Sequence, residues 1–178
     1  MNMHTPEQIY EIVLKVLQEL NKTNVSKLST EERLKLARDP KATVEILQTL
    51  AQDENSYVRC WVARHPKATV EILQGLSRDK DYYVRYWVSR HPNATVEILQ
   101  GLSRDKDYYV RYGVAGHPNA TIEILQGLAQ DENSYVREKA MKNPNYKPKT
   151  LELTSAQYEA LKTLLESSQD EILKTLTL

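Results

Sequence analysis

The chain has 178 residues, and its 24 Lys plus Arg balance 24 Asp plus Glu, so the formal net charge is zero. That length holds one domain of ordinary size. Neutrality argues against a dedicated nucleic-acid or membrane binder, which usually carries an excess of positive charge, but leaves room for a local patch. The single cysteine, Cys60, excludes an intrachain disulfide and a cysteine-built metal or iron–sulfur site. No apolar run approaches the roughly 18 residues of a membrane span. The opening MNMHTPEQ lacks the basic start and apolar stretch of a secretory signal, so a cytoplasmic location is expected. Phe is absent while Tyr numbers 11. Aromatic rings with polar tips suit a surface or an interface better than a dry core.

Thr5-Pro6-Glu7-Gln8 reads as a capping box with proline at the first helical position. It opens an amphipathic helix carrying Ile9, Val13, Val16, Leu17 and Leu20. Next, ERLKLARDP (32–40) aligns with VRCWVARHP (58–66), so residues 30–38 are expected to form the second helix of a partial unit.

Four full units follow. Pro40, Pro66, Pro92, Pro118 and Pro144 are spaced by 26 residues, which defines units 39–64, 65–90, 91–116 and 117–142. The second and third differ only at Lys67/Asn93, Trp87/Gly113, Ser89/Ala115 and Arg90/Gly116. Each unit is predicted to hold two short helices. The first runs from about Thr69 to Ser77, with Thr69 as N-cap, Glu71 in the first turn and Ile72, Leu73 and Leu76 as its apolar face. RDKD breaks it. The second runs from about Tyr82 to Arg90, with Val84 and Val88 one turn apart, and ends before Pro92 because a residue preceding proline is driven out of the helical region. One such pair cannot bury its apolar faces alone, whereas stacked copies can. KTLEL (149–153) echoes ATVEI, and Thr154–Gln157 and Ser168–Glu171 read as N-caps of two closing helices. The expected organisation is an N-terminal helical cap with a partial repeat (1–38), four tandem repeats (39–142) and a C-terminal helical cap (143–178).

The recurring D-x-x-x-x-V-R string, at Asp53 to Arg59, Asp79 to Arg85, Asp105 to Arg111 and Asp131 to Arg137, resembles the turn and second-helix start of HEAT repeats. The shorter period, the VARHP-type ending and T-x-E-I-L resemble still more closely the leucine-rich repeat variant family. The resemblance covers about 39–144. It implies an all-α, right-handed α-solenoid of short helices, and a binding scaffold by analogy of fold. The family's founding member carries an iron–sulfur cluster ahead of its repeats. Residues 1–38 here hold no cysteine, so that cofactor is not carried over, and no cofactor is expected.

The candidate chemistry is thin. The Asp79 and Arg85 columns are expected to form a structural ladder between repeats. His65, His91 and His117 share one column, but packed helices about 8–10 Å apart cannot share one zinc ion, so they are expected to stabilise turns. Cys60 is expected to be a surface substitution. Gly75, Gly101 and Gly127, inside the first helices, are attributed to close helix packing. No phosphate loop, nucleophile elbow or zinc motif occurs, so no enzyme activity is expected.

Columns that vary between units are the candidates for what a partner reads. On the second helix these are Cys60/Tyr86/Tyr112/Glu138, Trp61/Trp87/Gly113/Lys139 and Arg64/Arg90/Gly116/Lys142. With the Tyr57/Tyr83/Tyr109/Tyr135 column they fall at i, i+3, i+4 and i+7, one helix face. In HEAT-like solenoids that face lines the concave side. The predicted binding residues are Tyr57, Trp61, Arg64, Tyr83, Tyr86, Trp87, Arg90, Tyr109, Tyr112, Gly113 and Gly116, with a recess beside Trp87 where the two glycines lack side chains. Tyr, Trp and Arg dominate binding hot spots, so a protein or peptide partner is expected. The alternative is single-stranded nucleic acid stacked on the same rings. Unit two has five Lys/Arg and three Asp/Glu, unit three is neutral, and units one and four each carry one extra acid. So short a basic centre neutralises few phosphates, which favours the peptide.

Overall fold

The computed structural model describes Thr5, Gln8, residues 24–149 and residues 154–176, with side chains through residue 166 in the last segment. Among these residues the chain is all α-helical, without strands. It divides into two compact units, 1–147 and 148–178.

In the first unit the helices are α1 (Thr30–Arg38), α2 (Val44–Leu50), α3 (Ser56–Arg64), α4 (Val70–Leu76), α5 (Tyr82–Ser89), α6 (Val96–Leu102), α7 (Tyr108–Ala115), α8 (Ile122–Leu128) and α9 (Ser134–Met141). Thr43, Thr69, Thr95 and Thr121 cap α2, α4, α6 and α8, each hydroxyl accepting the N–H three residues on. Asn55, Asp81, Asp107 and Asn133 cap the second helices, each side-chain oxygen accepting the N–H two residues on. Those caps sit in the DENS and DKDY segments, where the sequence showed a break but not its chemistry. Thr5 and Gln8 exchange the two bonds of a capping box, N–H to Oε1 at 2.9 Å and N–H to Oγ1 at 3.3 Å. Ile9, Val13, Val16, Leu17 and Leu20 lie outside the described residues.

Each second helix packs on its counterpart in the next unit, and each first helix on the second helix beside it. The core is therefore one continuous cluster. Leu73, Leu99, Leu125, Val84, Val88, Val110 and Val114 are fully buried, with Ile72, Ile98, Leu76 and Leu102 beside them. The face predicted from periodicity is the buried face.

Two polar spines run along the stack. Arg59 Nε meets Asp79 of the next unit at 2.6 Å, and the Arg85–Asp105 and Arg111–Asp131 pairs repeat that distance. Arg33 pairs likewise with Asp53. Each arginine also donates to carbonyls of its own turn, as Arg85 does to Asp79 O at 2.7 Å and Lys80 O at 3.2 Å. The carboxylates close those turns in return, Asp105 Oδ1 accepting from Asp107 N. Burial alone would raise the Asp105 carboxyl. The Arg85 hydrogen bonds, the Asp107 amide and the nearby positive charge outweigh burial and hold it below the usual carboxylate range.

The second spine is the pre-proline column. His91 Nε2 lies 3.0 Å from His65 O, and His117 Nε2 lies 3.0 Å from His91 O. Nδ1 of His65, His91 and His117 each accepts the N–H two residues on. A ring that accepts at Nδ1 and faces a carbonyl at Nε2 is neutral, with its proton on Nε2. Asn143 ends the column in the same role, its Nδ2 donating to His117 O and its Oδ1 accepting from Asn145 N. Asn145 Nδ2 reaches Ala120 O. Residues 143–147 therefore belong to the first unit.

In the second unit, residues 155–176 form one helix, α10 (Ser155–Leu176). Thr154 and Gln157 make the predicted cap. Ser168 does not start a second helix. With no Gly or Pro between 155 and 176, nothing interrupts the run, and Ser inside a helix costs little. Among the described residues no helix is long and apolar enough to cross a membrane, and no cluster of His, Cys, Asp and Glu is arranged to hold a metal ion.

Candidate functional site

The varying columns lie on α3, α5, α7 and α9, whose opposite faces enter the core. Tyr57, Tyr83, Tyr109 and Tyr135 are exposed, between 43% and 67%. Trp61, Tyr86, Trp87 and Tyr112 are half-buried and pack against the core, while Arg64 and Arg90 are exposed. In unit two the rings touch. Tyr83 stacks on Tyr86 at 6.0 Å between centroids and meets Trp87 edge-on at 6.0 Å, and Tyr86 meets Trp87 at 5.3 Å.

Between units the arginines alternate with the indoles. Arg38 lies 4.4 Å over Trp61, Arg64 lies 4.1 Å from both Trp61 and Trp87, and Arg90 lies 5.9 Å from Trp87. Each such contact is worth about 0.5–1 kcal/mol when exposed and about 2 when desolvated. The order Arg38–Trp61–Arg64–Trp87–Arg90 is a cation–π ladder crossing three units. It covers the indole faces with guanidinium groups, and the Trp87 indole N–H is buried without a hydrogen-bond partner. Arg90 also donates to Tyr86 Oη at 2.6 Å.

The ladder stops at Gly113 and Gly116. There a cavity of about 290 Å³ opens, lined by Arg90, Tyr112, Gly113, Gly116, His117, Pro118 and Lys139. The sequence placed the recess beside Trp87, but its walls are Arg90, Tyr112 and Lys139. Lys139 leans into the space left by Gly116, where a Cβ would lie 2.5 Å from its Cε. Its ammonium sits 5.7 Å over the Tyr112 ring. Gly113 has a different cause. A Cβ there would fall on Ser89 Oγ, with Ser89 Cβ at 3.2 Å and Arg90 Cγ at 3.3 Å. Ser89 occupies a column filled by Ala63 and Ala115 in the neighbouring units.

Tyr109 pairs away from Tyr112, stacking on Tyr82 at 6.2 Å and lying 4.2 Å from Tyr108. Tyr57 stands outside these ring contacts. Tyr82, Tyr108 and Arg38 join the surface without having been singled out, and Lys139, named only as the unit-four member of the Trp87 column, joins it as well. The Tyr-Tyr doublets and the alignment of Arg38 with Arg64 were the available signals.

Two expectations are corrected. Cys60 is buried, not a surface substitution, because α3 is packed between α1 and α5. Burial pushes its thiol up to about 12, so it is no nucleophile. Gly75, Gly101 and Gly127 do not serve close packing. A Cβ at any of them would meet nothing within 4 Å.

No protein-family model matches the chain. No curated protein matches it either.

Proposed function

We propose that this protein is a non-enzymatic repeat scaffold that binds a peptide segment of another protein through the aromatic–arginine strip. In this reading the repeats wind as a right-handed solenoid of the leucine-rich repeat variant or HEAT-like type, with the strip on the concave face. The observation that carries it is the division of labour between columns. The invariant Leu, Val and Arg columns are buried in the core or bonded with the invariant Asp column into a spine, which leaves the other side of the second helices free. On that side the varying columns bring together the arginine-capped indoles and a cavity, beside the exposed and invariant tyrosine column that holds Tyr83 and Tyr109. Tyr, with only two side-chain torsions, loses little conformational freedom on binding.

Single-stranded nucleic acid is the weaker reading. Base stacking needs free ring faces, and those of Trp61 and Trp87 face Arg38, Arg64 and Arg90.

The test is selection of binders from a random peptide library on the intact protein, followed by affinity measurement on Tyr83→Ser and Arg64→Ala. A central anchor should lose about thirtyfold, the equivalent of about 2 kcal/mol. Selected peptides that bind both variants as tightly as wild type would overturn the strip. A labelled oligonucleotide that binds tightly and weakens steeply with salt would favour the alternative.

A further inference from the structure

The repeat supplies its own template for what the cavity accepts. In unit two the position equivalent to Gly113 is Trp87, which lies between Arg64 and Arg90. In unit three that ring is missing, while the cation below it, Arg90, and the Lys139 side chain beyond it both line the empty space. Arg90 is also the loosest rung of the ladder, 5.9 Å from its one indole where Arg64 is 4.1 Å from two. Neither Arg90 nor Lys139 has an ion-pair partner among the described residues. A side chain of the chain's own at 113 would drive its Cβ onto Ser89 Oγ, which would have to shift. A ring that arrives from outside needs no such Cβ.

We propose that the cavity at Gly113 and Gly116 receives an aromatic side chain of the bound peptide, held between Arg90 and Lys139, as the missing rung of the ladder. This rests on the strip being the peptide-binding surface. The cations meet the electron-rich ring face, and Tyr112 and Pro118 supply apolar wall. An indole fits best by the same template. A bare carboxylate would also be drawn to two unpaired cations, but it would leave the Tyr112 and Pro118 surfaces uncovered.

The probes are N-acetyltryptophan amide, N-acetylleucine amide, N-acetylglutamate amide and adenosine monophosphate, titrated into the full-length ¹⁵N-labelled protein. The tryptophan probe should shift the Gly113 and Gly116 amide signals saturably, the leucine probe should not, and Arg90→Ala should weaken the response about fivefold. A flat tryptophan titration, or an equal response to leucine, overturns the proposal. A tighter response to the glutamate probe makes the cavity an anion site, and one to the nucleotide a base site; either overturns it. The double variant Ser89→Ala with Gly113→Trp should abolish the shift at Gly116 by filling the space. Should that variant misfold, the wild-type and Arg90→Ala titrations decide alone. Selected peptides that lose binding in Tyr83→Ser while the tryptophan titration stays flat would keep the strip and remove the cavity from it. A saturable tryptophan shift in a protein that selects no peptide would keep the aromatic preference and overturn a peptide as its source.

Discussion

Units two and three differ at four positions, and the consequences are uneven. Their helices span equivalent residues, Val70–Leu76 against Val96–Leu102 and Tyr82–Ser89 against Tyr108–Ala115. Their spine bonds have the same lengths, 2.6 Å for Arg85–Asp105 and for Arg111–Asp131. Lys67/Asn93 does not alter the scaffold, since Lys67 Nζ reaches Ala42 O and Asn93 Nδ2 reaches Ala68 O, both at 3.2 Å. Trp87/Gly113 and Arg90/Gly116 convert a filled ladder into a cavity, while Ser89/Ala115 leaves Ser89 Oγ against Gly113 of the next unit. Two units can thus share one scaffold and present opposite surfaces.

The largest effect tests what they share. Asp105→Ala removes the partner of buried Arg85 and the acceptor that closes the turn at Asp107. Breaking one side of a buried pair costs about 3–5 kcal/mol. Asp79→Ala should cost a similar amount through Arg59, and chemical denaturation measures both. A large gap between the two would show that the units are not equivalent in their spines.

The next test exchanges their surfaces. Gly113→Trp alone should destabilise by about 1–3 kcal/mol, as overpacking does, because the new Cβ lands on Ser89 Oγ. Adding Ser89→Ala should restore most of the loss, since Ala63 holds that column in the unit before Trp87. A double-mutant cycle reads the coupling. Additive losses would mean that the clash is not what keeps Gly at 113.

Residue spacing made the helices legible. Thr69, the apolar triplet Ile72, Leu73 and Leu76, and the pre-proline stop place α4 and α5 to within a residue. The C-terminal segment was misread at Ser168, where a capping sequence lay inside an uninterrupted helix. The strip was legible as a set of columns but not as a ladder. Alternation of Trp87 with Arg64 joins residues 23 positions apart, and only stacking reveals it. The Ser89–Gly113 constraint is hidden for the same reason. Cys60 was misread because no other unit repeats it to reveal its place, whereas the packing of α3 between α1 and α5 encloses it.

A smaller effect separates the spines by pH. Burial holds His91 below its ordinary value of about 6.5, outweighing its bond to the His65 carbonyl. The unfolded chain then takes up a proton first as pH falls. The His91 contribution is complete above about pH 6.5 and is lost as pH drops through that value toward the lower folded pKa. His91→Asn should keep both hydrogen bonds, as Asn143 does at the end of the column, and should flatten this part of the curve. Urea midpoints at about pH 7.5 and 5.5 compare the two proteins. The Asp79, Asp105 and Asp131 links of the other spine weaken only at lower pH, because their carboxyls are held below the ordinary carboxylate range.

The smallest effect concerns a feature that units two and three share with unit four. Gly75, Gly101 and Gly127 sit inside the first helices, and none has a positive φ. Glycine there costs about 0.8–1 kcal/mol relative to alanine. A Cβ would meet nothing within 4 Å, so neither strain nor crowding offsets that cost. Each Gly→Ala change should therefore raise stability by about that amount, and the three should add, since a Cβ at each meets no neighbour within 4 Å. Thr49, in the same column of unit one, already bonds its hydroxyl to Glu45 O at 3.0 Å, so Thr49→Ala should gain less. The comparison has a second use. Gly101 lines a groove of about 480 Å³ with Val70, Gln74 and Ile98. Stabilised alanine variants that bind selected peptides as tightly as wild type would confine recognition to the second helices, whereas a loss of affinity would extend it to the first.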